Sequence, residues 1–206
     1  MDHDGSHGLR RMSRDAALSV LARRRASEVV VSTMTSANPW KQMSKNDRNL
    51  VCQGFMGGAS ALGLGIALAR PDTSVWVIDG DGSLLMQLAS LATVASCAPE
   101  KFIHIVMRND VYETSGNQPL PASEALSFSG IAREAGYPHV ARFDDVEEFD
   151  SALDDLLSRT GPIFIELLTS STDNFYKSSP TSSERPTPAL AIDWPAVQNS
   201  LLLDKP

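Results

Sequence analysis

Apolar residues along this chain switch between two spacings, one suited to strands and one suited to helices. Short β-branched or apolar runs occupy 28–32, 49–53, 74–79, 102–107, 139–143 and 162–168. Each is short and bounded by polar, Gly or Pro residues, so each reads as a buried strand. Helical spacing appears over 14–25, where Ala17, Leu18 and Leu21 share one side, and again over 84–98, 123–135 and 146–158. The 57–70 stretch is a helix rich in Gly and Ala, which allows another backbone to pack closely, and Pro71-Asp72 stops it. Residues 33–48 are polar and irregular, with Pro39 and Trp40 among them, and 112–122 reads as a loop containing Gly116, Pro119 and Pro121. Strands alternating with helices predict an α/β fold. The sheet is doubly wound, mostly parallel and six-stranded, with helices on both faces.

These elements organise the 206 residues into one domain over 13–169. Residues 1–12 carry no apolar run and read as a disordered N-terminus rather than a signal peptide, with Met12 as an alternative start. Residues 170–188 are rich in Ser, Thr and Pro and read as an extended tail. A short terminal helix over 192–202, with Trp194, Val197, Leu201 and Leu202, suits docking on a partner.

A formal charge of −7 argues against a nucleic-acid partner. The cluster Arg10, Arg11, Arg14, Arg23, Arg24 and Arg25 reads as a solvated helix face, with an RNA or membrane contact as the alternative. No apolar stretch is long enough to span a membrane. Cys52 and Cys97 sit in apolar or helical surroundings as free thiols, which fits a cytoplasmic protein.

The chemistry is concentrated in two places. Gly80-Asp81-Gly82-Ser83 follows the strand at 74–79 and precedes the helix at 84–98, while the strand at 102–107 runs out at Asn109-Asp110. A carboxylate and a small-residue backbone therefore meet an amide oxygen at two strand ends. Oxygen ligands suit a hard cation such as Mg²⁺, which keeps phosphate as a further ligand. The glycines let the backbone approach a diphosphate, and a helix N-terminus favours an anion. The pattern reads as a metal–diphosphate site at the carboxyl ends of parallel strands, where open α/β sheets bind ligands.

This arrangement resembles the thiamin diphosphate motif, a Gly-Asp-Gly followed further along the chain by Asn. Gly54-Phe55-Met56-Gly57-Gly58 and the glycine-rich helix after it look like the Gly-x-hydrophobic-Gly segment of the same family. The run 109–119 looks like the loop of the branch containing sulfopyruvate decarboxylase and phosphonopyruvate decarboxylase, and the resemblance extends over about 14–190. It implies the thiamin diphosphate-binding fold, with thiamin diphosphate and Mg²⁺ as cofactors. It assigns Mg²⁺ to the side chains of Asp81 and Asn109 and to the carbonyl of Val111. Gly54, Phe55, Met56, Gly80, Gly82, Ser83, Tyr112, Glu113 and Thr114 join these three in binding the cofactor. Met56, Tyr112, Glu113 and Gln118 are the catalytic candidates, and Met56 would be the wedge that bends the cofactor. Arg108 stands where many relatives carry Asn or Asp and puts an extra positive charge near the site.

Glu113 is not the glutamate that activates the cofactor in this family; that residue belongs to a separate pyrimidine-binding domain. The resemblance therefore implies the β-type subunit of a split 2-oxo acid decarboxylase. An α-type subunit would carry the pyrimidine domain in a hetero-oligomer. The implied substrates are 3-phosphonopyruvate and 3-sulfopyruvate, with an aldehyde and CO₂ as products. Two other readings stay open: a carboligase subunit of the acyloin or acetolactate type, and a non-catalytic scaffold.

Other features point to ordinary roles. Gly63-Leu64-Gly65 mimics a dinucleotide fingerprint but lies inside a predicted helix. His104 and His139 lack a partner at metal-ligand spacing and read as structural. Lys41, Lys45, Asn46 and Arg48 read as solvated surface, although a phosphonate or sulfonate would want such cations.

Overall fold

The computed structural model describes residues 10–172 and 189–203. Six strands form the main sheet: β1 (Val29–Thr33), β2 (Asn49–Cys52), β3 (Val75–Gly80), β4 (Phe102–Arg108), β7 (His139–Phe143) and β8 (Ile163–Leu168). Their order is β2-β1-β3-β4-β8-β7 and every pairing is parallel. β5 (Val111–Tyr112) and β6 (Gln118–Pro119) form a separate antiparallel ribbon. The α/β class and the six strands agree with the sequence reading.

Apart from β7 and the partly buried Gly80 at the end of β3, these strands are buried along their length, so their side chains feed two cores in alternation. One face buries Val75, Val77, Phe102, Val106 and Phe164 beneath α3 (Ala59–Ala69), α4 (Asp81–Met86), α5 (Ser90–Cys97) and α6 (Phe128–Glu134). The other buries Trp76, Ile78, Ile103, Ile105 and Ile165 beneath α1 (Arg14–Arg24), α2 (Met34–Met43) and α7 (Val146–Leu157). From β1 the chain winds one way to β2 and the other way to β3. The strand order therefore reverses between β1 and β3, and a crevice opens at their carboxyl ends.

Four local expectations change. The irregular 33–48 segment contains helix α2, despite Pro39 within it. Burial of Trp40 outweighs the polar composition: the residue is fully buried, and its Nε1 donates to Asn49 Oδ1 at 2.9 Å. Arg25 lies over the same ring, 5.7 Å from its centroid. The single helix expected over 84–98 is two, α4 and α5, with a break after Met86. α4 begins at Asp81, and a hydrogen bond between Ser60 and Ser90 at 2.8 Å ties the start of α5 to α3. The helix expected over 123–135 is shortened to α6, whose N-cap Ser127 accepts from Gly130 N at 3.0 Å.

The fourth concerns the chain ends. Met12 belongs to the fold: its N–H donates to Leu168 at 2.9 Å and its carbonyl accepts from Ser170 at 3.0 Å. The terminal helix α8 (Ala189–Leu203) docks on this chain's own β2 edge and buries Val197 in the core. Asp193 accepts from the edge N–H of Val51 at 3.3 Å and pairs with Lys41 at 3.0 Å. Residues 1–9, and the expected tail from 173 to 188, lie outside the described residues.

The glycines of α3 are not equivalent. A Cβ on Gly63 would lie 2.4 Å from Val77 Cγ2, whereas one on Gly65 would meet nothing within 4 Å. Gly63→Ala is expected to destabilise the fold by about 1–3 kcal/mol through overpacking. Gly65→Ala is expected to stabilise it by about 0.5–1 kcal/mol through helix propensity. Urea denaturation of the two variants checks the contrast.

Candidate functional site

A cleft opens at the carboxyl ends of β1, β3 and β4, where the strand order reverses. β1 ends at Thr33, whose hydroxyl donates to the Cys52 carbonyl at 3.0 Å. Met34 then takes φ 51°, a left-handed conformation that is strained for a non-glycine residue, and α2 leads away from the cleft wall.

Asp81 is the fixed point of the cleft. It is 2 % exposed and begins α4 immediately after β3. Its Oδ2 accepts from the backbone N–H of Asn109 at 3.0 Å and of Asp110 at 2.6 Å, and its Oδ1 accepts from Gly82 N at 2.8 Å. Asp110 has φ 63°, a left-handed turn that Asp tolerates and that accompanies these two inward-pointing N–H groups. Burial pushes the Asp81 carboxyl up to about 7, opposed by the backbone hydrogen bonds. Asn109 Oδ1 accepts from Val111 N at 3.1 Å, and Asn109 lines the same cleft as Asp81.

A second tie joins the two glycine-bearing segments. Gly57 N donates to Ser83 Oγ at 3.0 Å, with Gly57 at φ 81°, so the turn carrying Met56 is held against the first turn of α4. The Tyr112 ring covers Gly82 so closely that a Cβ there would lie 2.7 Å from it.

The structure thus brings Met56, Gly80, Asp81, Gly82, Ser83, Asn109, Val111, Tyr112, Glu113 and Thr114 to one cleft. It does not bring Gly54, Phe55 or Gln118 to that wall: Phe55 is half exposed with its ring over Gly58, and Gln118 lies exposed on β6. Glu113 is 5 % exposed. Its Oε1 accepts from Thr172 N at 2.6 Å and Thr172 Oγ1 at 2.9 Å, and its Oε2 faces Arg14 at 3.4 Å.

Arg108 does not add a free charge to the site. It is buried, with Nη1 on Glu166 at 2.8 Å, Nε on Asp110 at 2.7 Å and Nη2 on the Ser123 carbonyl at 2.6 Å. Burial alone would raise Asp110, but the guanidiniums of Arg108 and Arg11 hold its carboxyl below the usual range. The N-terminal arginines are likewise matched: Arg10 pairs with Asp145, Arg11 with Asp110, and Arg23 and Arg24 with Asp150 on α7. Lys41 and Arg48 are committed away from the cleft, to Asp193 and to the Ser27 carbonyl before β1. His104 is fully buried with Nε2 3.4 Å from Asp79 Oδ2, and its role is within the fold.

Residues that pattern alone did not single out also line the cleft: Thr33, Thr35 and Ser36, Thr169 and Ser170, and Arg14 from α1. Distance along the chain hid them, since they converge only through sheet order.

The family described as "Thiamine pyrophosphate enzyme, C-terminal TPP binding domain" matches residues 29–167. This chain belongs to that family. The phosphonopyruvate decarboxylase of Streptomyces hygroscopicus is 36 % identical over 142 residues, which cover 69 % of this chain and 35 % of the relative. The sulfopyruvate decarboxylase subunit beta of Methanocaldococcus jannaschii is 34 % identical over 134 residues, 64 % of this chain and 69 % of that protein. The subunit beta from Methanococcus maripaludis is 31 % identical and covered to 80 % of its length. The matched part of this chain therefore spans about a third of the phosphonopyruvate decarboxylase but most of each beta subunit. Among solved structures, the thiamine diphosphate-dependent 4-hydroxybenzoylformate decarboxylase of Rhodococcus jostii RHA1 has a TM-score of 0.68 at 17 % identity, covering 80 % of this chain and 34 % of that chain. The benzoylformate decarboxylase of Polynucleobacter necessarius has a TM-score of 0.63 at 20 % identity, covering 84 % and 35 %. These two likenesses concern the fold. No helix among the described residues is long and apolar enough to cross a membrane.

Asp110 carries a pH signature. Its folded-state pKa is depressed, so its contribution is present above the unfolded carboxylate range near about 4 and is lost as pH falls through the folded value. Asp110→Asn is expected to cost about 1–3 kcal/mol at neutral pH. The difference from wild type should close in strong acid, as measured by urea denaturation across pH.

Proposed function

We propose that this chain is the β-type, diphosphate-binding subunit of a split 2-oxo acid decarboxylase that uses thiamin diphosphate and Mg²⁺. The observation that carries the reading is the buried Asp81 carboxylate, fixed by three backbone N–H groups in a cleft that Asn109 also lines. Both are hard oxygen donors, and each keeps one lone pair for a cation. Burial disfavours the ionised form of Asp81, and a divalent cation would offset that cost. Among the described residues no three His, Cys, Asp or Glu side chains converge as metal ligands. An ion at Asp81 would therefore draw further ligands from diphosphate, from water and from the Val111 carbonyl.

When bound, thiamin diphosphate supplies an electron sink for the pair left behind as CO₂ departs. The chain's own contribution is binding and orientation. Gly80, where a Cβ would meet nothing within 4 Å, offers uncrowded backbone before α4, while Gly82 lies under Tyr112 with no room for a side chain. Met56, on a turn pinned by the Gly57–Ser83 hydrogen bond, would press on the cofactor rings and bend them. Tyr112, Glu113 and Thr114 line the same cleft and would contact the substrate or the diphosphate.

The small volume of the cleft supports a covering chain that completes the site. It encloses about 40 Å³, far less than the roughly 300 Å³ of a small ligand pocket. Phe55 and Met86, 47 % and 61 % exposed, flank the turn at Gly57 and offer apolar surface to a covering chain. We infer that this covering chain is an α-type subunit carrying the pyrimidine-binding domain and its glutamate. The relatives named phosphonopyruvate decarboxylase and sulfopyruvate decarboxylase subunit beta support 3-phosphonopyruvate or 3-sulfopyruvate as substrate.

The test is CO₂ release from these two acids by the purified chain, alone and mixed with the α-type chain, with cofactor and Mg²⁺. Release is expected only in the mixture and is expected to vanish in Asp81→Ala; release by the chain alone contradicts the split assignment. A second expectation concerns pH. Without metal, the raised pKa of Asp81 means stability is lost as pH rises through the interval from its ordinary value toward about 7. A bound cation favours the ionised form instead. Affinity for Mg²⁺ and cofactor, followed by calorimetry, should therefore weaken by up to about tenfold per pH unit below about 7.

A further inference from the structure

Among the described residues, the cleft wall carries a single cation, Arg14. It comes from α1, which precedes the matched family region at residues 29–167. Its side chain is 14 % exposed. The guanidinium is nearly buried yet poorly satisfied. Nη1 lies 3.4 Å from Glu113 Oε2 and Nε lies 3.4 Å from Asp15 Oδ1. Both distances are long for charge-assisted hydrogen bonds, which form at about 2.7–2.9 Å. Glu113 spends its other oxygen on Thr172, and Nη2 of Arg14 donates to nothing among the described residues. A guanidinium held this way has donor capacity left over, and Arg14 lines the cleft. The hydroxyl residues Thr35, Ser36 and Ser170 line the same cleft.

We propose that Arg14 recognises the distal anion of a dianionic 2-oxo acid, a phosphonate or a sulfonate. The inference rests on the decarboxylase reading. The leaving carboxylate cannot be the group retained, so a second anion on the substrate needs its own cation. A tetrahedral oxyanion matches a guanidinium edge flanked by hydroxyls. The other cations that composition offers for this task, Lys41 and Arg48, bind Asp193 and the Ser27 carbonyl instead. Arg14 is thus the specificity-determining residue of the site. It distinguishes dianionic acids from pyruvate and leaves the cofactor diphosphate to the backbone around Asp81.

The experiment uses the complex of this chain with its α-type partner, loaded with Mg²⁺ and thiamin diphosphate. KM and kcat are measured for 3-phosphonopyruvate, 3-sulfopyruvate and pyruvate in wild type, Arg14→Ala and Arg14→Lys. Calorimetry follows binding of 3-phosphonopropionate, which lacks the oxo group, against propionate, and also binding of the cofactor. Arg14→Ala is expected to raise KM for the dianionic acids by about 10- to 100-fold. It should leave pyruvate kinetics and cofactor affinity unchanged and weaken 3-phosphonopropionate binding by the same factor. Arg14→Lys should recover part of the loss. Equal losses on pyruvate and the dianions would assign Arg14 to holding Glu113 and overturn the proposal. Loss of cofactor affinity would assign it to the diphosphate and overturn it too, as would no change at all. If wild type releases no CO₂ from either dianion, the decarboxylase reading fails on its own account. Calorimetry then decides the role of Arg14: 3-phosphonopropionate binding abolished by Arg14→Ala supports it, and no binding by wild type overturns it.

Discussion

The carboxylate of Asp81 and the backbone N–H groups that hold it are the contact on which the rest of this structure depends. Asp81 follows one strand and opens one helix, while Asn109 and Asp110 follow the neighbouring strand. The three donors lie in a nearly buried site, where an unpaired carboxylate is costly. Each side therefore constrains the other: the loop after β4 cannot move without stranding the carboxylate, and the carboxylate cannot turn without freeing two N–H groups.

The loop is held from behind as well as from the cleft. Asp110 turns its backbone toward Asp81 and its side chain toward Arg108 and Arg11. Arg108 reaches on to Glu166 of β8, which also accepts from Ser129 N at 3.0 Å at the start of α6. Arg11 donates to the carbonyls of Arg108 and Thr169 at 3.2 Å each, so the N-terminal segment closes the same network. A buried ion pair of this kind adds little net stability over apolar packing, but losing one partner is expensive. Its value lies in fixing the backbone whose N–H groups face the site.

Much of the fold was legible because strands buried on both faces leave continuous apolar runs, and the six runs mark six strands. The core of the site was legible because Asp81, Asn109 and the turn at Met56–Gly57 are local motifs at strand ends. Helix α2 was hidden because Trp40 earns its place through tertiary burial that composition does not display. The break between α4 and α5 was hidden because apolar residues run through both. Arg14 was counted among solvated arginines. Its neighbours on α1 do pair with α7, and only the sheet order brings α1 to the end of β1 and β4. The basic residues at 41–48 are cations of the kind a phosphonate or sulfonate would want, yet the structure commits Lys41 to α8 and Arg48 to the chain before β1.

The central claim is that Asp81 and Asn109 hold a cation against a diphosphate. Replacing Mg²⁺ with Mn²⁺ allows the ion's neighbours to be read directly by electron-nuclear double resonance. In the complex loaded with thiamin diphosphate, phosphorus hyperfine coupling to Mn²⁺ is expected, together with its loss in Asp81→Ala and Asn109→Ala. Phosphorus coupling that survives both substitutions would place the ion elsewhere and contradict the account.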